Sequence, residues 1–333
     1  MNDTKKPDET LFTMHFPTED IKLKLCMRQD DILAKIKAES PDMPPPRKVT
    51  DVYDEIYFPP APDHRPYTYG SLVLSMDGKI AFPDNPEGPL IAAKNFLDPA
   101  GGKADFWVLN MLRAYADCAV IGARTLQAEP NGTSHVFCEE MAAARTLEMG
   151  KTGISPWNAV VSFDGTDIPF DHVLFEKKDI RAIIGTSPQG AEYVKKHIKK
   201  EIISFGPFNG ETPIPAEEIK TAMERQPRGV LLISTGNEEK PDAMVFLKVL
   251  RLIGVQRAVI ESPMYMWHLM EHQAMDEVFF NYSSVFVGGD IALGSYKPFT
   301  TALHPHSRVV SMAYHKSNFI FTRQQFVYDV KET

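Results

Sequence analysis

The sequence predicts an α/β domain built on a largely parallel sheet. Short runs rich in β-branched and aromatic residues alternate with helical candidates, the alternation that is typical of parallel β–α units. The end of the chain differs, because "HSRVVSMAYHKSNFIFTRQQFVYDV" holds two β-rich runs without a helix between them. We therefore expect the sheet to finish with antiparallel strands.

The alternating region begins at Tyr67. Its β-rich runs are "YGSLVLSM", "CAVIGA", "NAVVSF", "RAIIGT", "GVLLIST", "QRAVIES" and "VFFNYSSVFVG". In open α/β sheets, ligands bind at the carboxyl ends of the strands, so the loops after these runs are the expected place for the chemistry. The helical candidates between the runs span residues 102–117, 137–150, 189–200, 216–226, 241–253 and 263–273.

Residues 1–65 have a different pattern. Residues 18–40 can form one amphipathic helix, with Ile21 and Ile36 among its apolar positions. The prolines of "PDMPPPRK" then stop any helix, and "FPPAPDHRP" is a second proline-rich connector. We predict an N-terminal arm over residues 1–65, tied to a main domain over residues 66–333.

Composition limits the possible partners. The chain has 333 residues, 43% of them hydrophobic, which is enough for a substantial core. A formal net charge of −8 at pH 7 argues against nucleic-acid binding, which requires a basic surface. The N-terminal "MNDTKKPDET" has no apolar core typical of a signal peptide, and no apolar stretch approaches the roughly 20 residues that span a bilayer. With three widely spaced cysteines, we expect a reduced, cytoplasmic protein without a membrane span.

The stretch "SLVLSMDGKIAF" (residues 71–82) resembles a β-hairpin, because Asp77-Gly78 lies between two apolar runs. Glycine tolerates positive φ there at no steric cost. Asp77 and Lys79 are either ordinary turn residues or charged groups that face a ligand. The neighbouring loops decide between the two.

The loop in "AVIGARTLQAE" has features of a phosphate site. Gly122 after a buried strand allows close backbone approach, and amides at a helix start with the Thr125 hydroxyl can donate to a phosphate. Arg124 could form two parallel hydrogen bonds to a phosphate. The alternative is structural: Gly122 makes the turn and Thr125 caps a helix.

The stretch "AVIESPMYMWHLMEH" repeats this strand-to-helix geometry. Glu261 ends the strand, Pro263 opens the helix, and the amides from Met264 onward can face an anion. Alternatively, Glu261 is a residue that the helix dipole favours. His268 and His272 have a spacing that can hold a metal, but no glutamate directly follows His268, and we predict no metal site.

Taken together, four segments resemble the riboflavin-biosynthesis reductase domain, the C-terminal half of a bifunctional deaminase–reductase. They are "SMDGKIA", "LRAYADCAVIGARTLQAEP", "RAVIES" and "MDEVFFNYSSVFVGG", in the family's order and spacing. The resemblance covers about residues 67–330. It implies a dihydrofolate-reductase-like three-layer fold with helices on both faces of the sheet. It also implies NADPH as cofactor, a small heterocyclic substrate and a homodimer.

The resemblance also implies roles for particular residues. Lys79 and Glu261 match groups that face the substrate. Asp77, which lies in the same turn as Lys79, is assigned to the catalytic residues with them. Glu129 stands where an aspartate contacts the cofactor. The positions that the resemblance assigns to cofactor binding are Gly122, Ala123, Arg124, Thr125, Glu129, Ser262, Pro263, Met264, Tyr265, Met266 and Trp267.

The sequence departs from the family in two informative places. Glu261-Ser262-Pro263 replaces Glu-Gly-Gly, so two side chains hinder close backbone approach to the cofactor. The leucine and arginine that hold the substrate's ribose phosphate are replaced by "NGTSHVF" after Pro130. We therefore predict an NADPH-dependent reductase of a less charged pyrimidine- or pterin-like heterocycle, unless His135 or the N-terminal arm supplies other contacts.

Two other functions stay open. The chain could bind a nucleotide without turnover, which Ser262-Pro263 makes conceivable. It could instead be a metal-dependent enzyme that uses His268 and His272.

Overall fold

The computed structural model describes residues 10–42, 44–295 and 297–330. Residues 1–9, on which the prediction of no signal peptide depends, lie outside the described residues. Within these ranges, no helix has the length and apolar character needed to cross a membrane. Cys118 and Cys138 are buried, Cys26 is exposed, and all three are free thiols.

The strands of the described residues belong to one eleven-stranded sheet. Its strands are β1 (Lys24–Arg28), β2 (Tyr67–Ser75), β3 (Cys118–Gly122), β4 (Trp157–Val161), β5 (Ala182–Thr186), β6 (Ile202–Phe208), β7 (Val230–Thr235), β8 (Arg257–Ile260), β9 (Glu277–Ser283), β10 (His306–His315) and β11 (Phe319–Val327).

Helices connect these strands and flank the sheet. They are α1 (Thr18–Ile21), α2 (Asp30–Glu39), α3 (Arg47–Val52), α4 (Leu90–Ala93), α5 (Pro99–Tyr115), α6 (Ala123–Ala128), α7 (Glu139–Leu147), α8 (Pro188–His197), α9 (Ala216–Arg225), α10 (Ala243–Leu252) and α11 (Pro263–Glu271), with a 3₁₀ turn at Val173–Phe175.

The strand order is β1-β10-β11-β9-β2-β8-β3-β4-β5-β7-β6. Every neighbouring pair from β9 to β6 is parallel. The pairs β9–β11, β11–β10 and β10–β1 are antiparallel. The predicted fold class, with its antiparallel C-terminal strands, is confirmed, and each of the six predicted helices of the main domain is present.

The single helix predicted over residues 18–40 is wrong. The chain forms α1, then β1, then α2, and β1 pairs with β10 through Lys24↔Tyr314 and Leu25↔Ala313. The edge of β10 supplies hydrogen-bond partners that a local periodicity argument does not consider. Tertiary pairing therefore overrides the helical pattern of this segment.

The predicted hairpin is also wrong, although its turn is present. Gly78 has a φ of +77°, and the Ser75 amide donates to the Lys79 carbonyl at 2.9 Å. Residues 80–82 do not return along β2, because both edges of β2 are occupied by the parallel strands β8 and β9. Lys79 instead forms an isolated antiparallel bridge with Ala292.

The residues before β2 contribute to the main core. Val52, Ile56 and Phe58 are buried in the same hydrophobic cluster as β2 and α5. The ring of Phe58 stacks on Tyr69 with 4.7 Å between centroids. The domain boundary at residue 65 stays a prediction.

A buried ion pair connects this N-terminal segment with the antiparallel end of the sheet. Arg323 Nε and Nη2 each donate to a Glu277 carboxylate oxygen at 2.9 Å, and both side chains are at most 1% exposed. Arg323 Nη2 also donates to the Tyr57 carbonyl at 2.7 Å. One guanidinium thus connects β11, β9 and the segment before β2.

We expect Arg323→Met to lower the free energy of unfolding by about 3–5 kcal/mol, because it leaves the Glu277 carboxylate buried without a partner. The double variant Arg323→Met/Glu277→Leu should recover much of that loss, since no charge then remains buried. Urea unfolding measures both values, with Lys195→Ala in an exposed ion pair as the control. A single variant no less stable than this control would contradict the expectation.

Candidate functional site

The two loops predicted to hold a cofactor lie side by side. They follow β3 and β8, which are parallel neighbours through Val120↔Ile260. The Glu261 amide donates to the Val120 carbonyl at 2.8 Å, so the pairing continues to the strand ends. Both loops therefore open on the carboxyl edge of the sheet.

Gly122 and Ser262 form the contact between these loops. A Cβ at Gly122 would lie 2.6 Å from the Ser262 Oγ atom, which explains why a glycine stands there. Ser262 is buried and caps α11 by accepting a hydrogen bond from the Tyr265 amide at 3.4 Å. The serine side chain thus fills space between the loops.

Arg124 and Thr125 lie in the first turn of α6. Arg124 is exposed, and its Nη1 atom approaches the Met264 sulfur to 3.9 Å, so it reaches across to α11. Thr125 is half-buried, whereas Ala123 is buried in the core. The amides of a first helical turn have no intrahelical acceptor, and α6 directs them toward the same edge.

Most of the first residues of α11 are buried or half-buried. Met264 is 46% exposed and Pro263 is half-buried. The Tyr265 hydroxyl is buried, Met266 packs beneath Gly70, and Trp267 Nε1 donates to the Lys297 carbonyl at 2.7 Å. The last three side chains are thus used in packing and bracing. Their cofactor role, together with that of the other assigned positions, stays a prediction.

Glu261 is engaged in a two-pronged ion pair with Arg113. Arg113 Nε and Nη2 each donate to a different Glu261 oxygen at 2.8 Å, and the two side chains are 8% and 11% exposed. The Ser134 hydroxyl donates to Glu261 Oε2 at 2.7 Å. The carboxylate predicted to face the substrate is therefore held by α5 and by residue 134.

The candidate residues deduced from the sequence did not include Arg113 and Ser134. The signal for Arg113 is a single arginine within the apolar helix "WVLNMLRAY". Arg113 Nη1 also donates to the His135 carbonyl at 3.3 Å. The His135 ring donates to the Phe12 carbonyl at 2.9 Å and contacts the Thr133 hydroxyl at 2.7 Å, so both ring nitrogens are used.

Glu129, at the end of α6, has an unusual carboxyl group. Burial raises its pKa to about 7, the Arg113 charge opposes that rise, and Glu261 and Glu87 add to it. The two side-chain oxygens of Glu129 accept no hydrogen bond within the described ranges. A methyl group at Gly88 would lie 3.8 Å from Glu129 Oε1 and 4.0 Å from the Ile80 carbonyl, which places Glu129 near the turn after β2.

The turn after β2 divides its charged residues between two roles. Asp77 accepts hydrogen bonds from the Ser75 hydroxyl at 2.6 Å and from the amides of Val287 and Gly288. The Ser75 hydrogen bond is the main cause that lowers the pKa of Asp77 to about 2. Lys79 is half-buried, and its ammonium has no partner among the residues that the structure describes. Asp77 braces the turn, which leaves Lys79 as the charged group that can meet a ligand.

The two histidines of α11 face each other with 4.3 Å between ring centroids. His268 pairs with Glu271 at 3.5 Å, and the His272 Nδ1 atom contacts the His268 carbonyl. Within residues 10–42, 44–295 and 297–330, no group of three potential ligands could hold a metal ion.

Comparisons with solved structures identify the fold. A pyrimidine reductase-like protein from Corynebacterium diphtheriae matches with a TM-score of 0.53 and 17% identity, over 80% of this chain and 94% of that one. RibD from Acinetobacter baumannii (form 2) matches with a TM-score of 0.52 and 13% identity, over 79% of this chain and 58% of that one.

A third match is the diaminohydroxyphosphoribosylaminopyrimidine deaminase/5-amino-6-(5-phosphoribosylamino)uracil reductase from Thermotoga maritima. Its TM-score is 0.50 at 17% identity, over 78% of this chain and 56% of that one. This chain therefore spans little more than half the length of the two RibD-type proteins. No family model and no curated protein matches. The chain thus has the dihydrofolate-reductase-like fold of these reductases, as its sequence predicts.

We expect Glu129→Gln to change how stability depends on pH. The folded-state pKa of about 7 lies above the ordinary 4.5, so the folded protein holds an extra proton between these values. Wild-type stability should therefore fall as pH rises through that window, whereas the variant lacks this loss. Urea unfolding between pH 5 and 8 measures the difference.

Glu192→Gln is the matched control, because Lys195 lowers the pKa of Glu192 and its contribution has the opposite sign. A stability difference between wild type and Glu129→Gln that stays constant across the window would show that Glu129 titrates normally.

Proposed function

We propose that the protein is an NADPH-dependent reductase of a small heterocyclic substrate. The observation that carries this proposal is the Lys79 ammonium, which has no partner among the described residues and follows β2 at the same sheet edge as the paired loops at Gly122 and Ser262. The fold shared with three pyrimidine and riboflavin-biosynthesis proteins supports it. Assembly as a homodimer and a cytoplasmic location stay predictions.

The residues of α6 fit a phosphorylated cofactor. First-turn amides and the Thr125 hydroxyl can donate to a phosphate, and the exposed Arg124 guanidinium suits a 2′-phosphate. Below its pKa of about 7, Glu129 is mostly protonated and does not repel an anionic cofactor. Bound NADPH would supply the hydride, and these residues would hold and orient it.

Ser262 and Pro263 reduce the space on the α11 side of the proposed cofactor site. The Ser262 Oγ atom occupies the space beside Gly122, and Pro263 has no amide hydrogen to donate. We therefore expect the cofactor to bind through α6 more than through the start of α11.

The charge arrangement favours a substrate without a phosphate. A buried phosphate requires cationic partners, and Arg113 is already neutralised by Glu261. The stretch "NGTS" at residues 131–134 brings no cation, and both ring nitrogens of His135 are used. Lys79 can donate to an acceptor on a ring but gives a phosphate only one cationic partner, so a pterin-like or other imine-bearing heterocycle fits better than a phosphoribosylamino compound.

A second candidate function is nucleotide binding without turnover. The filled gap between Gly122 and Ser262 favours it, since a displaced nicotinamide ring would not reach a substrate. Metal-dependent catalysis at His268 and His272 has no comparable support, because Glu271 and a backbone carbonyl already partner these rings.

Isothermal titration with NADPH tests the proposed cofactor. We expect a dissociation constant in the micromolar range, about −8 kcal/mol. Ser262→Gly should bind NADPH more tightly than wild type because it reopens the gap beside Gly122. Ser262→Ala is the control that removes the hydroxyl alone. If neither wild type nor Ser262→Gly binds NADPH at millimolar concentration, the cofactor assignment is overturned.

We expect Lys79→Ala to leave folding and NADPH affinity nearly unchanged, because the turn is held by the backbone and by Asp77. NADPH oxidation with 7,8-dihydropterin as the probe should slow by about 10-fold or more if Lys79 orients the ring. Lys316→Ala, at an exposed turn, is the control. Loss of the fold would show that Lys79 is structural, and unchanged turnover would remove it from the site.

A further inference from the structure

A cavity of about 410 Å³ lies at the amino ends of the central strands, away from the candidate site. Arg257, the first residue of β8, and Tyr115, the last residue of α5, both line it. The loop at Ser262 follows the other end of β8, roughly 10 Å away along the strand. The volume is within the range of sites for small organic ligands, roughly 300–1,000 Å³. The cavity is therefore a separate place where a ligand could bind.

The two proline-rich connectors of the N-terminal segment form apolar walls of this cavity. Pro41, Pro44 and Pro46 belong to the first connector, and Pro60 belongs to the second. Met149 adds a thioether side chain to the lining. Proline has no amide hydrogen, so these walls present ring faces instead of hydrogen-bond donors. Since methionine also packs well on aromatic rings, the walls suit a flat aromatic body better than a sugar.

Two buried polar atoms of the lining residues have no hydrogen-bond partner in the described part of the chain. They are the Tyr115 hydroxyl and Arg257 Nε, in residues that are 3% and 6% exposed. Both side chains pack against the Phe58 ring, with 5.4 Å between the ring centroids for Tyr115 and 5.3 Å from the guanidinium carbon for Arg257.

Both of these groups are hydrogen-bond donors. Burial and the Asp42 charge raise the pKa of Tyr115 above its ordinary value, and the Arg257 charge opposes that rise. The Tyr115 hydroxyl therefore keeps its proton and can donate it. Buried donors normally have acceptors, so this pair indicates an acceptor that the described residues do not supply.

Arg251 brings an available guanidinium to the cavity. It lies in the last turn of α10 and donates from Nε to a backbone carbonyl at 3.0 Å, and neither Nη atom has a partner among the described residues. Arg257 is already paired with Asp42 at 2.7 Å, and Lys151 is paired with Asp117. One available guanidinium matches a ligand with a single negative charge, because a phosphate with close to two charges would need a second cation.

We propose that this cavity is a second binding site, which takes an aromatic carboxylate. The Arg251 Nη atoms can donate two parallel hydrogen bonds to the carboxylate oxygens. These oxygens have further lone pairs, which can accept from the Tyr115 hydroxyl and Arg257 Nε. The aromatic ring packs against the prolines and Met149. The assignment does not rest on the proposed reductase function, because Lys79 and the cofactor loops lie at the opposite edge of the sheet.

Isothermal titration of the full chain with three probes, in the absence of NADPH, tests the proposal. The probes are 2-naphthoate, its neutral amide 2-naphthamide, and acetate, which has the charge without the ring. We expect wild type to bind 2-naphthoate more tightly than either of the other two. If 2-naphthoate does not bind at millimolar concentration, or binds no more tightly than 2-naphthamide, the proposal is overturned.

Three charge variants locate the binding. Arg251→Gln should weaken the binding of 2-naphthoate by about 10- to 100-fold and leave that of 2-naphthamide nearly unchanged, because a charge-assisted pair is lost. Glu148→Gln should strengthen it, since an exposed carboxylate is removed from the lining. Lys248→Gln, at an exposed position of the same helix as Arg251, is the matched control. Equal weakening by Arg251→Gln and this control would contradict binding in the cavity.

Tyr115→Phe tests the buried donors. The hydroxyl has no described partner, so we expect the variant without ligand to be no less stable than wild type in urea unfolding. Its affinity for 2-naphthoate should nevertheless fall by about 2- to 10-fold, because one hydrogen bond to the ligand is lost. Unchanged affinity would overturn the assignment of this hydroxyl to the site.

Discussion

The two-pronged ion pair between Arg113 and Glu261 sets the geometry of the site. It joins the last turn of α5 to the residue that follows β8, across 148 positions of sequence. Both side chains are nearly buried, so the pair is costly to break and stays fixed once formed. The loop at Ser134 is attached to the same carboxylate. The helix, the central strand and the loop therefore share one electrostatic anchor.

This anchor surrounds a residue to which the sequence assigns a role. The two oxygens of Glu261 accept hydrogen bonds from Arg113 and Ser134, and its role toward a substrate stays a prediction. The Glu261 charge also contributes to the raised pKa of Glu129. Within the described residues, the Lys79 ammonium has no partner and keeps its full hydrogen-bonding capacity. A charged group that remains available therefore lies in the turn after β2, outside the ion pair.

The sequence predicts the alternating part of the fold well, because several helices there begin at a residue whose side chain caps them, such as Asp98, Ser187 and Asp242. Helix α11 begins at Pro263, the residue at which the sequence predicts its start. The sequence-based prediction fails where partners are distant along the chain. Strand β1 forms because the edge of β10 supplies its hydrogen-bond partners. The Asp77-Gly78 turn was recognised, but the hairpin was not formed, since the neighbours of β2 come from residues 257–260 and 277–283. Likewise, no local pattern reveals that Arg113 pairs with Glu261.

The segment between β9 and β10 links the two sides of the site mechanically. It bonds to Asp77 through Val287 and Gly288, and its Lys297 carbonyl holds the Trp267 indole on α11. The turn that carries Lys79 cannot shift without straining this segment or breaking these hydrogen bonds. A displacement of this turn would therefore be transmitted through these hydrogen bonds to α11, the helix that starts at the Ser262 loop.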